Sequence, residues 1–261
     1  MKIKQVLNAL EEFAPLPLQE SWDNAGLQLG LTEAEVSGAL LCLDVNEAIV
    51  SEAICRGCNL IISHHPLLFH GLKQISDHDY VQRVVINALK HDIAIISMHT
   101  NMDNAEGGVN WKIAETLGMH QCSFFAPKIV GDLKGGSGVV GLMNSPMAAK
   151  DFIKLLKERF QVACVQCNEL LSRSIHKVAI CGGAGDFLLN DAVSLGADAF
   201  VTGEMHYHQY FGYEQRIQIC VIGHYQSEQY TTEIFRDIIQ RECPDVKAYV
   251  AETNTNPIIY Y

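Results

Sequence analysis

No stretch of this 261-residue chain approaches the roughly 20 consecutive apolar residues of a membrane-spanning helix, so no membrane span is expected. The first residues, 1–7, lack the long apolar core of a secretory signal peptide, and a cytoplasmic protein is expected. Positive charge is also scarce: 19 Lys and Arg against 30 Asp and Glu give a net charge of −11. That balance argues against nucleic-acid binding driven by phosphate contacts. It leaves room for a small anionic or nucleotide substrate, because a bound metal reverses the local field. A four-thiolate zinc site is not expected either. The two C-x-x-C spacings, Cys55–Cys58 and Cys164–Cys167, stand far beyond the 15–20 residues that usually separate such pairs. The odd count of nine cysteines argues against a disulfide framework, and the cysteines read as small buried core residues.

What is present is a packed globular composition, with 48% hydrophobic and 19% charged residues, enough for one large domain or two small ones. Helical and strand patterns alternate. Residues 2–14 carry a helical stripe of Ile3, Val6, Leu7, Leu10 and Phe13, stopped by Pro15 and Pro17. Strands are expected over 38–44, 58–63 and 92–98, and helices over 46–56, 77–91 and 109–117, the last ended by Gly118. After an irregular stretch through Phe124, Phe125 and Pro127, a Gly-rich strand spans 135–143. Ser145 and Pro146 read as the N-cap and first turn of a helix. Further strands are expected over 162–167, 176–181, 198–202 and 217–222, with helices over 186–195 and near 226–241. This alternation predicts an α/β fold with largely parallel strands, whose sites lie beyond the carboxyl ends of the strands.

Leu60, Ile61, Ile62 and Ser63 run directly into His64, His65 and Pro66, which places two imidazoles at such an end. The halves also resemble each other. At an offset of 139 residues, residues 40–44 fall over 179–183 and residues 57–65 over 196–204, so that His65 falls over Glu204. The strand ending in His99 corresponds to the one ending in His224, each histidine followed four residues later by a carboxylate, Asp103 or Glu228. Three matches in order favour an internal duplication: two similar α/β lobes, residues 1–125 and 126–261, with strand ends converging on their interface. The C-terminal segment is expected to have the option of packing back on the first lobe.

His64, His65, Asp103, His224 and Glu228 form an imidazole–carboxylate set without sulfur, suited to zinc, manganese, iron, cobalt or nickel. Helical i,i+4 spacing puts His224 and Glu228 on one face. A bridged metal pair with open positions activates water for hydrolysis. His99 is read as a ligand or as a group holding one. His206 and His208, next to Glu204, are open to three readings, as ligands, proton carriers or plain surface residues, with ligation the less favoured and site lining an option. Residues 182–185 (Gly182, Gly183, Ala184, Gly185) read as a tight turn in preference to a phosphate cradle, and Asp23 reads as an N-cap or a loop-pinning residue in a turn.

Five segments in order resemble the Nif-three-like dinuclear-metal proteins, often named GTP cyclohydrolase I type 2 homologues. They are residues 21–30 around Trp22, Asp23 and Asn24; 62–66 with His64 and His65; 99–103 with 107–110; 202–204 with His208; and 223–228 with His224 and Glu228. Ala25 stands where valine is the more frequent residue. The resemblance implies two divalent metal ions per subunit on His64, His65, Asp103, His224 and Glu228, with the glutamate bridging. It implies a toroidal homohexamer, and a short form without the inserted domain of some members. The activity implied by the family name is water attack on the imidazole ring of GTP, which opens the ring and releases formate. Glu204 and His208, matched as motif positions without assigned roles, are the candidates for proton transfer. Two alternatives stand beside this hydrolase: a non-enzymatic metal-handling or regulatory protein, and a metal-dependent phosphoesterase.

Overall fold

A computed structural model describes residues 1–259. The chain divides into two compact units. One comprises Met1–Met102 with the stretch from Thr231 onward, the other Asp103–Tyr230.

The first unit begins with α1 (Ile3–Phe13), β1 (Gly26–Leu29), β2 (Ala39–Cys42), α2 (Glu47–Cys55), β3 (Leu60–Ser63), α3 (Tyr80–Lys90) and β4 (Ala94–Ser97). The short α4 (Thr100–Asn104) ends it and begins the second unit. There follow α5 (Val109–Leu117), β5 (His120–Phe124), β6 (Pro127–Val130), β7 (Leu133–Gly136), β8 (Val139–Met147), α6 (Ala149–Phe160) and β9 (Gln166–Cys167). Then come β10 (Ile175–Cys181), α7 (Leu189–Ser194), β11 (Ala199–Thr202), β12 (Gln218–Val221) and α8 (His224–Glu228). The first unit is completed by α9 (Thr231–Glu242) and β13 (Ala248–Val250).

The apolar stripe of α1 buries Ile3, Val6 and Leu10, and Pro15 follows its C-terminus. Local chemistry sets two further starts. Asn46 caps α2 by accepting from the Ile49 N–H at 3.0 Å, and Asp79 caps α3 by accepting from the Gln82 N–H at 2.9 Å. The central strands β2, β3 and β4 are buried at every position, as their near-continuous apolar runs require of parallel strands covered on both faces.

The first unit's sheet has the order β1-β4-β3-β2-β13, parallel except for the antiparallel edge β1. One of its faces packs Leu40, Ile61 and Ile95 against Ile49 and Val50 of α2 and Val84 and Val85 of α3. The second unit's sheet has the order β5-β8-β10-β11-β12-β9, with β10, β11 and β12 parallel and the flanking strands antiparallel. Phe200 and Ile219 pack there against Leu188, Leu189 and Ala192. Register repeats between the sheets: Ala39 pairs with Leu60, and 139 residues on, Val178 pairs with Ala199.

The α/β class expected from the sequence is what the chain adopts, but several elements differ. The stretch read as irregular holds β5 and the β6–β7 hairpin. Ser145 and Pro146 are not a helix start; they belong to β8, and α6 begins at Ala149 after Ala148. Proline is tolerated there because β5 pairs β8 only up to Leu142, and the β8–β10 register is irregular at Ile175. The strand expected over 162–167 is only Gln166 and Cys167, and the helix expected near 226–241 is broken into α8 and α9. Cys58 is buried as expected, but Cys55, Cys164 and Cys167 are exposed. Cys55 ends a helix, and Cys167 lies on an edge strand paired only with β12.

Candidate metal centre

In the first unit the carboxyl ends of β2, β3 and β4 deliver Asp44, the His64–His65 pair and His99. A ring nitrogen from each of His64, His65 and His99 lies within 4.8 Å of the others. The ring centroids are 4.9 Å (His64–His65), 5.3 Å (His64–His99) and 5.4 Å (His65–His99) apart.

Each ring is fixed through Nδ1 by an oxygen. His64 Nδ1 is 2.9 Å from the Met98 carbonyl, and a carbonyl only accepts, so Nδ1 is the donor and the ring is turned with Nε2 away from that bond. His65 Nδ1 meets Asp44 Oδ1 at 2.8 Å, and Thr255 donates its hydroxyl to Asp44 Oδ2 at 2.7 Å. His99 Nδ1 meets Asp23 Oδ1 at 2.8 Å. Asp23 also accepts from the Thr100 N–H at 3.0 Å, from the Thr100 hydroxyl, and from the Asn24 N–H at 2.7 Å. Burial works against the charge on Asp23, but the His99 hydrogen bond and charge, with Thr100 and Asn24, overcome it and lower the carboxyl to about 2. Asp44 is likewise disfavoured by burial, yet held below the usual carboxylate range by His65, Thr255 and the charge of His64. A carboxylate or carbonyl behind each imidazole is the arrangement that orients histidine for a metal.

In the second unit the ends of β10, β11 and β12 deliver the Gly182–Gly183 turn, Gly203 with Glu204, and Gly223 with His224. The one-turn helix α8 places His224 Nε2 3.2 Å from Glu228 Oε2, and His224 Nδ1 lies 3.1 Å from Glu204 Oε1. Glu228 is 3% exposed, which makes it a buried carboxylate suited to a cation. Glycine is required around it. A Cβ on Gly203 would stand 2.6 Å from the Gly183 carbonyl and 2.9 Å from His224 Cα, and one on Gly183 (φ +58°) would collide with Glu228 Oε1.

The N–H groups of the Gly182–Gly185 turn are engaged internally. Gly182 donates to Asn110 Oδ1 at 2.8 Å, Gly183 to Ser227 Oγ at 2.9 Å and Gly185 to Thr202 Oγ1 at 3.1 Å. This is a tight turn and not a phosphate cradle. Asp103, half-buried on α4, is steadied by Asn110, whose Nδ2 donates to the Asp103 carbonyl at 3.2 Å. His208 is exposed, its ring 5.2 Å from Tyr207 and 6.4 Å from Phe211, and His206 is exposed with Nδ1 3.4 Å from Asp186.

The sequence reading found the histidine ends but missed Asp44 as the support of His65 and Asn110 as the support of Asp103. The signal for Asp44 was present, an acid closing an apolar strand run at the same kind of end as His64. The loop-pinning reading of Asp23 holds, and its partner is His99. His99 itself stands with His64 and His65 as a third imidazole.

Nitrogen and carboxylate donors of this kind, set on parallel strand ends, define an α/β protein with residues fit for a divalent cation. The family model for Duf34/NIF3 (NGG1p interacting factor 3) matches residues 1–257, and the chain belongs to that family. A Clostridium perfringens relative named GTP cyclohydrolase 1 type 2 homolog is 34% identical over 259 residues, covering 98% of each chain. A Campylobacter jejuni relative of the same name is 29% identical over 264 residues and covers both chains fully. A solved Staphylococcus aureus protein superposes with a TM-score of 0.91 at 27% identity, over 100% of this chain and 99% of that one. No helix among the described residues is long and apolar enough to cross a membrane.

Proposed function

We propose that His64, His65, Asp103, His224 and Glu228 hold two divalent metal ions, and that the centre serves a hydrolase acting on a nucleotide or related heterocycle, GTP being the first candidate. The observation that carries the metal reading is the anchoring of the imidazoles. His64, His65 and His99 each have Nδ1 against an oxygen, within a cluster small enough for one cation. The name shared by the Clostridium and Campylobacter relatives supports the substrate class.

When bound, such ions supply a water nucleophile at neutral pH and polarise the bond under attack. The chain's own groups do the rest. Asp44 and Asp23 keep the His65 and His99 rings oriented, and Glu228 offers a buried carboxylate able to bridge. Glu204, beside His224, is the proposed proton carrier, with His208 on the following turn as the second. The matching registers of β2–β3 and β10–β11 support an internal duplication. We further propose a homohexamer in the cytoplasm.

Metal content of the purified protein, measured by inductively coupled plasma mass spectrometry, should approach two ions per chain. Protein loaded separately with manganese, zinc, iron, cobalt or nickel should open the ring of GTP or a related nucleotide, with formate release. His64→Ala and Glu228→Ala should abolish this. No turnover with any metal, or turnover untouched by both variants, overturns the hydrolase. Release of phosphate alone makes it a phosphoesterase, and transfer of the metal to an apo-acceptor without turnover makes it a metal-handling protein. Light scattering should give the mass of a hexamer.

A further inference from the structure

Trp22 is 60% exposed and Phe69 42% exposed, although both are large apolar side chains in a well-packed unit. Their rings lie nearly parallel, 11° between planes and 6.1 Å between centroids. Both also touch the histidine cluster edge-on, Trp22 at 5.9 Å and Phe69 at 5.5 Å from the His99 ring.

The pair is held by polar bonds rather than by burial. Asn24 Nδ2 donates to the Leu68 carbonyl at 2.7 Å, tying the loop that carries Trp22 to the loop that carries Phe69. Gln28 closes the frame: its Nε2 donates to the Asn24 carbonyl at 2.6 Å, and its Oε1 accepts from the Leu68 N–H at 3.1 Å. On the other side of Trp22, Asp23 is fastened to His99 and Thr100. The two rings are thus pre-positioned while remaining in water. Exposing two aromatic faces forgoes the stabilisation their burial would give. A frame that holds them out, next to three imidazoles, fits a flat ligand that completes the stack.

We propose that Trp22 and Phe69 form a stacking platform that selects a planar heteroaromatic ligand, the base of a purine nucleoside, and sets it beside the His64–His65–His99 cluster. This deepens the hydrolase reading and rests on it for the reaction and for the choice of a purine, while the binding of a flat ring stands on the platform alone. It predicts that recognition comes from the ring system and not from the phosphates. A simple phosphate ester or polyphosphate would gain nothing from the platform.

The test uses the full chain, with and without metal, in a Trp111→Phe background that leaves Trp22 as the one tryptophan. Guanosine, GTP and tripolyphosphate are titrated by calorimetry and by Trp22 fluorescence. Guanosine and GTP should quench Trp22, and tripolyphosphate should not. Phe69→Leu should weaken guanosine binding about 5- to 150-fold, the range for loss of one stacking aromatic. So should Trp22→Leu, measured by calorimetry, while Trp22→Phe restores most of the affinity. A circular dichroism spectrum unchanged in the leucine variants shows that the fold is kept. Tripolyphosphate binding as tightly as GTP overturns the proposal. So does guanosine affinity unchanged in both leucine variants. Quenching that follows protein concentration and ignores nucleoside also overturns it, and marks the pair as a contact between copies. Guanosine binding lost in the leucine variants, with no compound turned over, supports the platform and sinks the hydrolase. GTP turnover with KM unchanged in both leucine variants does the reverse.

Discussion

Asp23 is the residue on which a quantitative test turns, because one buried carboxylate holds both the His99 ring and the first turn of α4. Its folded pKa is lowered from 3.8 to about 2. A group with a depressed folded pKa contributes stability that is fully present above its unfolded pKa and is lost as pH falls through its folded value. The window therefore runs from just above pH 4 down to about 2. A shift of that size corresponds to about 2 kcal/mol. Asp23→Asn keeps the shape but removes the charge and turns one acceptor into a donor facing the Thr100 N–H. Metal-free Asp23→Asn should be less stable than wild type by about 2 kcal/mol at pH 6. The gap should close as pH approaches 2, because the wild-type carboxyl is then protonated as well. Urea unfolding of both proteins from pH 6 to 2.5 reads this directly, and using the difference cancels the other acids that titrate in the same range. A gap that stays constant over that interval, or no gap at pH 6, would refute the assignment of Asp23 as a charged anchor.

Three further outcomes follow from the packing and the anchoring. Asp44→Asn should lower metal affinity about 10- to 100-fold by freeing the His65 ring, as measured by competition with a chromophoric chelator; unchanged affinity removes Asp44 from the site. Gly203→Ala should destabilise by about 1–3 kcal/mol in urea unfolding, because the added carbon meets the Gly183 carbonyl and His224 Cα and neither is a flexible side-chain end. Phe200→Ala, removing a fully buried ring from β11, should cost about 3–5 kcal/mol. An unchanged melting temperature in that variant would contradict the core placement.

Several features were legible from sequence because their causes are local. The runs ending in Ser63 and Thr202 read as strands because nearly every residue in them is apolar, and a strand buried on both faces needs no alternation. The α1 stripe and its proline stop, the Gly118 end of α5 and the i,i+4 pairing of His224 with Glu228 all lie within one or two turns of chain. The misread elements are those whose conformation is set from outside. Ser145 and Pro146 satisfy a helix cap locally, yet β8 runs through them because Leu142 and Met147 on either side pair with Lys177 and Ile175 of β10. The stretch around Phe125 shows no clean period, because β5 is an edge strand and β6–β7 a hairpin with mostly exposed residues.

By itself, the sequence determined the α/β class, the strand ends that carry His64, His65, His99 and His224, and through its five ordered segments the family. Only the tertiary structure decided what stands behind those histidines. Asp23 is 76 residues from His99, Asp44 21 from His65 and Thr255 211 from Asp44. Periodicity, which reports neighbours within a few turns, carries no trace of such pairings. They arise because parallel strands bring their carboxyl ends to one edge of a sheet whatever the length of chain between them, and hydrogen bonds then select among the side chains gathered there.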